Sequence, residues 1–190
     1  LAREVAVVPQ ALNIPQYFTV RETVMLGRTP HLNWIGQFSR TDHQVAEHAM
    51  QRTDTIHLAE RRLGELSGGE QQRVLIARGL AQQSRLIMMD EPTAHLDLQY
   101  QFGILEIVRQ LAVQDGLTVI LAIHDLNLAA RYADWIILLD KGRLRAGGPP
   151  AAVLTSQILS EVYQVAVEVL NGGQFDQPVI LAGVERSHQP

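Results

Sequence analysis

The chain has 190 residues, 46% of them apolar, a formal net charge of −4 and no cysteine. That apolar content can fill one core, or one domain with a sizeable insertion. The acidic balance argues against a nucleic-acid partner, whose binders usually carry a basic face. The lack of cysteine excludes disulfides, thiolate metal sites and a cysteine nucleophile, and fits a reducing compartment such as the cytosol.

No apolar run approaches the ~20 residues of a membrane-spanning helix, so a role at a membrane would come through partners. Lys141 is the only lysine among 16 cationic residues, a bias that genome composition explains as well as function does. The opening LAREVAVVPQ has neither a methionine nor a signal-type segment and reads as a start in mid-domain.

Residues 4–9 are a short apolar run ended by Pro9 and read as a buried strand. From residue 11 to about 82 no strand is evident. Residues 20–26 and 41–52 read as helices, the second opened by TDHQ with Thr41 or Asp42 as its cap. GRTPHLNWIGQFSR between them reads as a folded surface loop, with Pro30, Gly36 and two aromatics. Ser67 and Glu70 form an S-x-x-E capping box, so a helix starts there and runs to about Gln82, with an apolar face broken by arginines.

Beyond that helix the pattern turns α/β. RLIMMD is an apolar strand, residues 98–114 a helix, LTVILAIH a second strand and residues 126–132 a short helix. DWIILLD is a third strand and KGRLRAGG turns into a fourth. Apolar strands alternating with helices indicate a parallel sheet with helices on both faces, where ligands bind at the strand ends. After Pro149 two short helices precede VAVEVL and PVILAG, which read as edge strands.

Four places carry chemistry. Gly68 and Gly69 occupy the first helical positions, where each glycine is less favourable than alanine by about 1 kcal/mol. Either the turn is simply tight, or the bare N–H groups at the positive end of the helix admit an anion. Asp90 ends an apolar strand and Glu91 follows at once, an acid pair that a magnesium ion or a substrate would compensate. Asp90 can hold such an ion and Glu91 can polarise a water for attack on phosphorus, or both are a polar strand end. His124 ends the second strand, with Asp125 placed to cap the next helix, and Gln10 leaves the first strand after Pro9.

The order of Gln10 after a strand, a helical insert, LSGGE, LIMMDEPTAHLD and then HD after another strand resembles the ATP-binding cassette (ABC) ATPases. The resemblance implies a P-loop NTPase fold of the ABC type, α/β with an inserted helical subdomain. Residues 1–10 and 83–170 would form the partial RecA-like core, 11–82 the helical signature subdomain and 171–190 a C-terminal tail. It implies that Glu91 and His124 are catalytic, that Asp90 and Gln10 serve Mg2+, and that Ser67, Gly68, Gly69, Glu70 and Asp97 serve ATP. In this family two cassettes pack head to tail, so Ser67, Gly68 and Gly69 would meet the γ-phosphate of ATP held by the other subunit, with Asp97 at the same interface.

The phosphate loop G-x-x-x-x-G-K-[ST] occurs nowhere, and Lys141 lies in DKGR and cannot belong to one. Family members carry that loop, and an adenine-stacking aromatic, upstream of the strand that leads to Gln10. The chain is therefore expected to be a fragment of a full ATPase, inactive by itself. FTVRETVMLGRTPHL, HDLNLAARYAD and GGPPAAVLT resemble the subunits that power import of iron-siderophore complexes, haem or cobalamin, with molybdate importers close behind. That implies a second ABC ATPase subunit, in a homodimer or a pair of different cassettes, membrane permease subunits, indirectly a periplasmic or extracellular substrate-binding protein, and a peripheral place on the cytoplasmic face of the membrane. The alternative is a cassette ATPase acting on the ribosome or DNA. His31, His43, His48, His57 and His188 share no metal-ligand spacing and read as solvated surface.

Overall fold

The computed structural model describes residues 2–10, 14–170 and 177–183. Two compact units divide the chain, Leu1–Ala122 and Ile123–Pro190. In the first, strands β1 (Val5–Val8), β2 (Leu86–Asp90) and β3 (Thr118–Ala122) form a parallel sheet in the order β1-β2-β3. Its helices are α1 (Val20–Met25), α2 (Arg40–Arg52), α3 (Gly68–Ala81) and α4 (Leu98–Asp115).

The helix α3 belongs to two cores. Val74, Ala77 and Ala81 pack with Val20 and Val24 of α1 and Ala46, Ala49 and Met50 of α2. Leu75 and Ile76 pack with Ala6 and Val8 of β1, Ile87 and Met89 of β2, and Ile104, Val108 and Leu111 of α4. The helix is thus apolar on two sides rather than on the single face expected. On the opposite side of the sheet Val7, Met88 and Ile120 stand in register across the three strands, 58%, 41% and 49% exposed.

Three expectations between α1 and α2 need correction. The cap of α2 is Ser39, whose hydroxyl accepts from the Asp42 N–H; Asp42 sits at the third helical position and closes the box. A capping box needs an acceptor three residues before the carboxylate, which Ser39 supplies and Thr41 cannot. The GRTPH stretch is no surface loop either, because Leu26–His31 is a 3-10 helix with Arg28 only 4% exposed. Arg28 Nε donates to Asp42 Oδ1 at 2.9 Å, and its Nη1 donates to the Ala81 carbonyl at 2.7 Å and to Gln83 Oε1 at 2.8 Å. His31 Nε2 lies 2.9 Å from the Gln82 carbonyl, half-buried rather than solvated. Both basic residues thus serve carbonyls at the C-terminal end of α3, where a helix leaves acceptors unpaired and favours cations. Gly27 permits this approach, since a β-carbon there would overlap the Arg78 carbonyl oxygen.

In the second unit α5 (Leu126–Tyr132) is followed by β4 (Ile136–Asp140) and β5 (Arg143–Gly148), an antiparallel pair. The fourth predicted strand therefore pairs with the third antiparallel rather than parallel, because the short DKGR link can only reverse the chain. Helices α6 (Pro150–Val153) and α7 (Ser156–Tyr163) follow. Strands β6 (Val167–Leu170) and β7 (Val179–Ala182) pair antiparallel. Asn127 of α5 pins β7 by accepting from the Ile180 N–H at 2.8 Å and donating to its carbonyl at 3.2 Å. Residues 171–176 and 184–190 of the predicted tail, with His188, lie outside the described residues.

Candidate functional site

At the C-terminal edge of the parallel sheet, β1 leads to Gln10 and β2 ends at Asp90, with Glu91 the next residue. Parallel pairing puts these ends side by side, and the Glu91 N–H still bonds to the Ala122 carbonyl of β3 at 3.1 Å. The Gln10 amide Nε2 donates to Glu91 Oε2 at 3.3 Å, joining residues 81 apart in the chain. Glu91 has φ 45° and His95 φ 59°. Left-handed backbone costs a non-glycine residue about 1–2 kcal/mol, and such strain concentrates at functional turns. Here it swings the chain off the strand end so that the Glu91 carboxylate stands beside Gln10.

The second constellation is the start of α3. Ser67 Oγ accepts from the Glu70 N–H at 3.3 Å, while Glu70 Oε2 accepts from the Ser67 N–H at 2.7 Å and its hydroxyl at 2.8 Å. Those bonds from Ser67, backbone first, hold the Glu70 carboxyl below the usual range. The N–H groups of Gly68 and Gly69 have no acceptor among the described residues.

The two glycines differ in their reasons. At Gly68 a β-carbon would meet only Leu96 Cδ2, at 3.7 Å, so the side facing out of the turn is open. At Gly69 a β-carbon would lie 2.8 Å from Cγ and 3.0 Å from Cε1 of Tyr100, and closer still to Cδ1. The ring of Tyr100, on the first turn of α4, occupies that space, and nothing in the sequence pairs residue 69 with residue 100. Between them Asp97 begins α4 without a side-chain capping bond. His124 belongs to the second unit and is exposed. Asp125 beside it accepts from the N–H groups of Asn127 and Leu128 and caps α5 as expected.

For Mg2+ the available donors are hard oxygens, the Asp90 and Glu91 carboxylates and the Gln10 amide. No cluster of three or more His, Cys, Asp or Glu able to hold a metal exists among the described residues. Hard oxygen donors of this kind suit magnesium, which takes one or two carboxylates together with substrate phosphates and keeps waters.

A family model described as ABC transporter matches residues 1–94. The achromobactin transport ATP-binding protein CbrD of Dickeya dadantii is 39% identical over 181 residues, covering 95% of this chain and 67% of that protein. The chain belongs to the ABC transporter ATP-binding family. The hemin import ATP-binding protein HmuV of Nocardia farcinica is 45% identical over 185 residues, 94% of this chain and 62% of its own length. Among solved structures, an inward-facing metal-chelate type ABC transporter superposes with a TM-score of 0.88 at 30% identity, covering 97% of this chain and 73% of that one. This family member thus spans about two thirds of the length of these relatives, and no helix among its described residues is long and apolar enough to cross a membrane.

Proposed function

We propose that this chain is part of the ATPase subunit of an importer for an iron-siderophore, haem or cobalamin-type metal chelate, peripheral on the cytoplasmic face of the membrane. The observation that carries the reading is its similarity, at 38–45% identity, to ATP-binding subunits of hydroxamate, achromobactin, hemin and cobalamin import. Residues 1–10 and 83–170 belong to the ATPase core and 11–82 to the helical subdomain. The subunit works as a pair with permease subunits, fed by a substrate-binding protein, and uses no nucleic acid.

In this reading Glu91 accepts hydrogen from, or orients, the water that attacks the γ-phosphorus, and the bond to the departing ADP oxygen breaks in line. The Gln10 amide, bonded to Glu91 Oε2, fixes the orientation of that carboxylate. Asp90 and Gln10 hold Mg2+, which supplies charge neutralisation on the phosphates when bound. His124 donates to a γ-phosphate oxygen. The unpaired N–H groups of Gly68 and Gly69, with the Ser67 hydroxyl, meet the γ-phosphate of the paired subunit's ATP, while Glu70 acts through the cap and Asp97 through the interface.

The test is ATP turnover by the complete gene product in its assembly. Glu91→Gln is expected to reduce turnover to background while ATP binding persists; turnover within threefold of the unsubstituted assembly refutes the assignment. The 190-residue chain alone, which has no phosphate loop, is expected to show none. Co-purification with an integral membrane protein supports the importer reading, and co-purification with ribosomes overturns it.

A further inference from the structure

We infer that Tyr100 is a positioning residue that locks the Ser67–Glu70 turn, the signature turn, to the loop carrying Asp97, so that the two reach the paired subunit's nucleotide as one rigid block. The inference rests on the proposed head-to-tail ATPase reading. Its observation is the ring of Tyr100 lying against the bare α-carbon of Gly69, where a β-carbon would fall 2.8 Å from the ring's Cγ.

Three features make this contact a lock rather than ordinary packing. The atoms of Tyr100 nearest a β-carbon at Gly69 are Cδ1, Cγ and Cε1, one edge of the ring, so relieving the overlap requires the whole ring to move rather than a flexible tip. Gly69 is buried, yet its N–H has no acceptor among the described residues, so the ring covers the α-carbon without binding the donor. Tyr100 is itself 38% exposed, so it stands at the surface between the two motifs and not in the core.

The consequence is geometric. Asp97 lies one turn before Tyr100 and spends no side-chain bond on capping α4. Leu96 Cδ2 is the nearest atom to the open side of Gly68. Leu96 and Tyr100 therefore flank the two glycines, and the ring sets the distance from the Asp97 backbone to the first turn of α3. Without the ring, the α3 turn and the Asp97 loop would vary independently, and amides meant for one phosphate would lose alignment.

The test uses mixed assemblies of the complete gene product, in which one protomer carries Glu91→Gln so that only the other protomer's site turns over. That working site faces the signature turn of the Glu91→Gln protomer. Tyr100→Ala placed on the Glu91→Gln protomer is expected to lower kcat/KM for ATP at least fivefold more than Tyr100→Ala placed on its partner. Tyr100→Phe at the same place, which keeps the ring, restores turnover to within twofold. Equal losses in the two arrangements, or no loss in either, overturn the inference, since a role confined to folding acts alike on both protomers. Failure of the unsubstituted assembly to hydrolyse ATP would instead overturn the ATPase reading beneath it.

Discussion

Replacing Asp42 by asparagine should destabilise the first unit strongly, and in a pH-dependent way. Asp42 and Arg28 have side chains only 6% and 5% exposed and bond at 2.9 Å. Burial pushes the Asp42 carboxyl upward, but the bonds from Ser39 and the Arg28 guanidinium outweigh it and hold the group at about 2. Against an ordinary aspartate near ~3.9, that depression corresponds to about 2.5 kcal/mol of stability at neutral pH. Asp42→Asn loses this and leaves the Arg28 charge buried without its counter-ion, so the expected cost is about 3–5 kcal/mol. Because the folded-state value is the lower one, the contribution is complete above about pH 4 and is lost as the pH falls towards about 2, roughly half of it being gone at pH 3. Urea unfolding followed by circular dichroism at pH 7 and pH 3 measures both parts. The penalty of Asp42→Asn should shrink by about 1 kcal/mol at the lower pH. An Arg28→Met/Asp42→Asn double variant should recover part of the loss, since the stranded charge goes too. A penalty under about 1 kcal/mol at pH 7, or one that does not shrink at pH 3, would refute the reasoning.

Ser67→Ala removes the hydroxyl that takes the Glu70 N–H and should cost about 1 kcal/mol in the same unfolding assay. Gly68→Ala and Gly69→Ala should part company. The first meets only Leu96 Cδ2, at ordinary contact distance, and should leave stability unchanged or raise it by up to about 1 kcal/mol while lowering ATP turnover of the assembly. The second drives a methyl group into the Tyr100 ring and should cost about 1–3 kcal/mol. Gly27→Ala puts a β-carbon on the Arg78 carbonyl oxygen, a backbone atom that cannot turn away, so its cost should reach about 3 kcal/mol, measured as a shift in urea midpoint.

Much of this protein was legible from local pattern. Apolar runs marked β1, β2 and β3, the capping box marked the start of α3, and Asp125 marked α5, because each depends on residues within a few positions of one another. Gln10, Asp90, Glu91 and the Ser67–Glu70 turn could likewise be named as chemistry-bearing from type and order along the chain.

Contacts between distant segments were decided only in three dimensions. Parallel pairing brings Gln10 to Glu91 across 81 positions, and Arg28 reaches Ala81 across 53. A motif that reads locally as a loop, GRTPH, closes the far end of α3 because unpaired helix carbonyls need donors from whichever segment packs there. The same holds for the paired glycines. Their presence at a helix start was plain from the capping box, but one has room for a β-carbon beside Leu96 and the other meets a tyrosine ring, a distinction set by where α4 packs, since steric fit depends on neighbours in space and not in sequence.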